Sequence, residues 1–118
     1  MKNAIALTNE YFESSCGKTP QYKTWHRTFK REFSKLLANN GATNIQIGKP
    51  NHFDMSGFFT NHAGQIFYFS ISDLRWSKDT MLVRTAKDYK DYTGGTNQFV
   101  SLKSLGEFAD GIKPFVQP

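Results

Sequence analysis

The chain has one cysteine, Cys16, in 118 residues, so no disulfide can form within it, which fits a reducing compartment. No segment approaches the ~20 apolar residues of a membrane span, and residues 1–10 hold no apolar stretch long enough for a signal peptide. A cytoplasmic protein is expected. Metal-ligand spacing is missing as well: His26, His52 and His62 fall on three separate elements, away from the cysteine, so neither a metal nor another cofactor is expected. There is no Gly-x-Ser-x-Gly elbow, and Thr93-Gly94-Gly95-Thr96-Asn97 lacks the lysine and helix that complete a phosphate-binding loop. These absences argue against an enzyme and leave binding.

Phenylalanine and positive charge are what the chain has in plenty. Its 11 phenylalanines point to an aromatic core, and 118 residues suffice for a single domain, 1–118, to bury one without staples. The net charge of +5 favours polyanionic partners such as nucleic acid, an acidic protein or anionic lipid.

Residues 53–73 organise the rest. Two alternating runs flank Asn61-His62-Ala63-Gly64, and glycine falls where a three-residue hairpin loop needs a left-handed residue. With 62–64 as the loop, Phe59 opposes Phe67, Gly57 opposes Phe69 and Met55 opposes Ile71, giving one apolar face. The other face pairs Phe58 with Tyr68, Ser56 with Ser70 and Asp54 with Ser72. A slip of one residue would mix the two sets, so the pattern fixes the register.

A long helix is expected over 20–39. Thr19 can cap it, Pro20 suits its first position, and Asn39-Asn40-Gly41 supplies a left-handed stop. Tyr22, Trp25, His26, Phe29, Phe33, Leu36 and Leu37 make its apolar stripe. Its solvent side carries Lys23, Arg27, Lys30, Arg31 and Lys35 against the single Glu32. Arg27 and Arg31, at i and i+4, repel rather than stabilise.

Short strands follow at 43–48, with Ile45 and Ile47 inward, at 80–85, and around Phe99 and Val100. A short C-terminal helix is expected over 101–111, capped by Ser101 and stopped by Gly111, before a loose tail at 113–118. Residues 1–17 form an arm or a short helix. The class is thus α+β: an antiparallel sheet of four to five strands on a central hairpin, with both helices on its apolar face.

Two surfaces suggest function. Arg84, Lys87 and Lys90 interleave with Tyr89 and Tyr92 beside Gly94-Gly95, a mixture able to contact phosphates and stack on bases. Asp88 and Asp91 offset those cations and leave 84–97 at only +1, three cations less two aspartates. Joined to the helix cations, this gives a nucleic-acid site of Lys23, Arg27, Lys30, Arg31, Lys35, Arg84, Lys87, Tyr89, Lys90 and Tyr92, for DNA or RNA. The alternative is a protein partner held at Phe58, Ile66 and Tyr68, which would make the chain a regulator of a nucleic-acid-handling enzyme, of phage or mobile-element type. That patch is open only if the arm, with Ile5, Leu7, Tyr11 and Phe12, does not lie across it, and the arm is expected to do so.

A helix followed by a strand with Asp54 and a neighbouring strand resembles, in order, the start of the PD-(D/E)xK nuclease core over residues 20–73. That resemblance implies a divalent-metal site at Asp54. The positions of the family's Glu-x-Lys pair read Ser70-Ile71-Ser72 here, and Asp73 faces the opposite way in a regular strand, so the implied site is degenerate. The helix–sheet–helix order also resembles double-stranded-RNA-binding domains, a family with three strands and a lysine-rich start to its second helix; here that helix would begin Leu102-Lys103-Ser104.

Overall fold

The computed structural model describes residues 3–4, 20–48, 55–71, 80–91 and 95–101, and within the helix the side chains from residue 23 onward. The described elements are one long helix, α1 (Pro20–Asn39), and five strands: β1 (Thr43–Ile47), β2 (Met55–Thr60), β3 (Ile66–Ile71), β4 (Thr80–Ala86) and β5 (Gln98–Ser101). The strands form one antiparallel sheet in chain order, β1-β2-β3-β4-β5, so every neighbour along the chain is also a neighbour in space. The architecture is α+β, as expected.

The hairpin register follows the alternation. Phe59 pairs with Phe67, Phe58 with Tyr68, Gly57 with Phe69, Ser56 with Ser70 and Met55 with Ile71. Asp54 and Ser72 lie outside the described residues. At the tip, the Asn61 N–H donates to the Gln65 carbonyl (2.8 Å), and Gly64, at φ +89°, donates to the Asn61 carbonyl (3.0 Å). The Asn61 side chain is itself buried and accepts from the Ala63 and Gln65 amides at 3.0 and 2.8 Å, which fixes the loop from within.

The helix ends as its sequence suggests. Gly41, at φ +88°, donates to the Ala38 carbonyl, and Ala42 donates to the Leu37 carbonyl, both at 3.0 Å. This is the paired hydrogen-bond pattern of a Schellman cap, with Leu37 and Ala42 both in the core behind it. Trp25, Phe29, Phe33 and Leu37 are fully buried against Ile47, Met55, Phe59, Phe67, Phe69, Ile71, Met81, Val83 and Val100. The Phe33 ring meets Phe69 edge-on at 5.0 Å, and Phe59 stacks on Phe67 at 5.4 Å.

Three expectations need correction or restriction. Ser101, expected to begin a helix over 101–111, pairs with Thr80 as the last residue of β5, and 102–118 lie outside the described residues. The arm is described only at residues 3–4, which are helical. There Ala4 is fully buried in the main core and its N–H donates to Glu32 Oε1 at 3.2 Å, so at this point the arm lies against α1 and not across Phe58 and Tyr68. Finally, β1 is not regular. Thr43 pairs with Thr60 but Gln46 with Phe58, which inserts one extra residue on β1. Asn44 absorbs it at φ +49°, a left-handed conformation that asparagine tolerates well.

His26 sits where the helix stripe meets solvent, beside the end of β1. Burial pushes its imidazole below the usual pKa of 6.5, a backbone hydrogen bond with Gly48 opposes that, and nearby Lys30 adds to the lowering. The fold therefore favours the neutral ring. Its contribution to stability is complete above pH 6.5 and is lost as pH falls below that through the lower folded pKa. Melting curves between about pH 5 and 7.5 should show wild type losing more stability on acidification than His26→Gln. Equal losses would show that this ring does not contribute.

Candidate nucleic-acid interface

Every cation expected on α1 is at the surface: Lys23, Arg27, Lys30, Arg31 and Lys35 are all exposed. They share the helix side opposite the core because Trp25, Phe29, Phe33 and Leu37 claim the other side. Glu32 does not neutralise the stripe. It is only 15% exposed, is turned toward the arm, where it accepts the Ala4 N–H, and reaches Arg31 only at 3.9 Å. Pairs such as that one, with its arginine exposed, contribute little to stability.

The second half of the expected site is arranged differently. Arg84 is 5% exposed. Its guanidinium lies over the Tyr68 ring, 4.5 Å from the centroid, and donates to the carbonyls of Asp91 (2.8 Å) and Thr85 (3.4 Å). It therefore holds the turn after β4 in place and presents no charge to a phosphate. Tyr89 is likewise committed: its ring packs on Phe58 at 5.7 Å and its hydroxyl bonds the Thr60 hydroxyl. Its ring is half-buried, with one contact already taken by Phe58. Tyr92 lies outside the described residues.

Lys87 and Lys90 are exposed, but the two aspartates around them are structural partners of the turn. Asp91 accepts the Lys87 N–H at 2.9 Å and Asp88 accepts the Lys90 N–H at 2.8 Å. With Arg84 buried, the turn 87–91 carries two lysines and two aspartates. It also lies on the wrong side. Tyr89 packs on the second face of the sheet, and α1 covers the first. The turn and the helix cations do not form one surface.

The proposed partner patch also changes character. Phe58 is 5% and Tyr68 7% exposed, and with Ala86 they form a second small core against which Ile66, Leu82 and Tyr89 pack. Phe58 and Tyr68 themselves therefore present little apolar surface. The signal was present in the sequence: 82, 84 and 86 share one face of β4, and Arg84 stands opposite Tyr68 between two apolar neighbours. An arginine in that row is held by its stem and its planar head, as a cap on an aromatic ring.

Gly95 shows the close approach expected of the glycine pair. It has φ +74°, and an added Cβ would overlap the Thr85 carbonyl oxygen. Gly64, Gln65, Ile66, Thr85, Ala86, Lys87, Asp91 and Gly95 surround an open groove of about 500 Å³. Its one carboxylate, Asp91, accepts the Lys87 backbone N–H and so belongs to the turn, while the Lys87 side chain is exposed at the groove's edge. Among the described residues no group of three or more histidine, cysteine or carboxylate side chains could hold a metal ion, and no helix is long and apolar enough to cross a membrane. Asp54, Ser72 and Asp73 lie outside the described residues.

These observations define an α+β domain with a five-stranded antiparallel meander, one covering helix, and a cationic helix face. Comparison with protein-family models, curated proteins and solved structures finds no match for the chain. Among the resemblances, the five strands depart from the three of double-stranded-RNA-binding domains.

The commitment of Arg84 can be checked directly. Arg84→Met should cost about 1–3 kcal/mol, because the Asp91 carbonyl loses its buried donor. If nucleic acid binds, the salt dependence of binding should be the same in this variant as in wild type. A shallower dependence would return Arg84 to the interface.

Proposed function

We propose that the protein binds nucleic acid without catalysis, through the solvent face of α1. One observation carries this reading: five exposed cations line a single helix face on which the one acidic residue of the described helix side chains, Glu32, is turned away and mostly covered. Such a stripe gives up helix stability, since Lys23, Arg27, Arg31 and Lys35 repel at successive i, i+4 spacings. A polyanion offsets that repulsion, and a phosphate chain supplies anions at regular intervals. The stripe runs from residue 23 to 35, roughly 18 Å at 1.5 Å per residue. Lys87, Lys90, the buried Arg84 and the half-buried Tyr89 are left out of the contact.

The test is fluorescence anisotropy with labelled DNA and RNA across a salt series. Five phosphate contacts on duplex DNA give a log–log slope of about −4.5, equivalent to a loss of about 500-fold in affinity between about 50 and about 200 mM salt. A slope near zero, or no binding at low salt, would overturn the reading.

A further inference from the structure

The shape of the cationic face narrows the ligand, granted the reading of α1 as the binding element. We infer that the ligand is a B-form DNA duplex, with α1 seated lengthwise in its major groove and its cations on the two flanking phosphate backbones.

Two observations carry this. The first is the absence of a stacking surface. On α1, the described aromatics Trp25, Phe29 and Phe33 are all fully buried, and Tyr89 is packed on Phe58. The large exposed hydrophobic residue among the described residues is Phe99, on β5. It pairs with Leu82, whose side of the sheet is the one away from α1. Single-stranded nucleic acid is held by bases stacked on aromatic side chains within a basic track. Among the described residues the helix face has the charge and no such platform, so it suits phosphates whose bases are already stacked on each other.

The second is the angular spread of the cations. At 100° per residue, Lys30 and Lys35 stand roughly 140° apart around the helix axis, with Lys23, Arg27 and Arg31 between them. A single phosphate chain or a flat anionic surface faces one side of a helix and leaves the outer members of such a fan pointing past it. A groove has anions on both walls. The B-form major groove is about 12 Å wide and admits an α-helix of about that diameter. The A-form groove of duplex RNA is deep and too narrow to be entered in this way. Toward the C-terminal end the middle of the fan holds the small residues Ser34 and Ala38, with Ala38 exposed, so the helix can sit close to the groove floor there. With the cations on the phosphates, which carry no base information, binding should be nearly indifferent to sequence.

The experiment compares one mixed-sequence DNA duplex, either of its single strands, and the RNA duplex of the same sequence, at one low salt concentration. The DNA duplex should bind at least about tenfold tighter than both of the others. Lys30→Glu and Lys35→Glu, one from each edge of the fan, should each weaken duplex binding by similar factors. Equal or tighter binding of the single strand overturns the inference and leaves nucleic-acid binding by α1 intact. RNA duplex binding equal to DNA overturns the groove assignment, as does loss from only one of the two lysine variants. Failure of all three ligands to bind overturns the underlying reading of α1 itself.

Discussion

Gly57→Ala should cost about 3 kcal/mol or more, lowering the melting temperature by roughly 10–15 °C, from the addition of one methyl group. Gly57 sits in the middle of β2, opposite Phe69 on one side and Ile47 on the other. A Cβ there would overlap the Gln46 carbonyl oxygen and stand 3.0 Å from both Ile47 Cα and Phe69 Cζ. Two of those three atoms are backbone of the neighbouring strand, so no rotamer change relieves them. Relief requires β1 to move away from β2, which breaks their pairing, or the fully buried Phe69 ring to leave its place against Phe33. Gly64→Ala is the control. Its φ of +89° is unfavourable for alanine, but nothing lies within 4 Å of the added carbon, so the cost should be about 1 kcal/mol. Urea or thermal unfolding of the two variants side by side checks the contrast. Equal costs would mean that backbone conformation, not the approach of β1, explains the glycine at 57.

Arg27→Glu/Arg31→Glu should weaken DNA binding on the order of a hundredfold at low salt and flatten its salt dependence, yet leave the fold as stable as before or slightly more so. The stripe falls from five cations to three with two carboxylates among them, a net of one, so most of the counterion-release term is lost. On the helix itself the change works the other way. A carboxylate at 27 faces Lys23 and Lys30, and one at 31 stands four residues before Lys35 in the favourable orientation, each pair worth a few tenths of a kcal/mol. Opposite signs for affinity and stability are the mark of a face kept for a ligand. Parallel losses of both would show that these arginines act within the fold, and unchanged affinity would remove α1 from the interface.

Much of the fold could be read from residue spacing because local signals agree with tertiary ones. The hairpin register follows from alternation plus Gly64, and the bounds of α1 from Pro20 and Gly41. Other features depend on partners far away in the chain. Asn44 departs from the strand pattern only because Gln46 must reach Phe58 two places on. Arg84 reads as surface charge until Tyr68 and the Asp91 carbonyl are seen around it, since arginine is rarely covered without such partners. Tyr89 reads as a ligand-stacking residue because Lys87 and Lys90 lie close to it in sequence, but its spatial neighbours are Phe58 and Thr60. Of the candidate site, the part carried by helical periodicity stayed together. The part inferred from composition in a loop was divided between a small core and the far side of the sheet.

The left-handed residue in β1 also bears on how copies of the chain behave at high concentration. In the described sheet, β1 and β5 are the terminal strands, and a regular terminal strand is a template on which further strands can add. The extra residue at Asn44 interrupts the ladder of β1 and twists its outer side away from a straight partner. Growth of a continuous sheet needs two competent edges per copy. With the β1 edge of the described sheet spoiled, edge-to-edge association through that sheet is left to the β5 edge alone, joining like edge to like and closing at two copies.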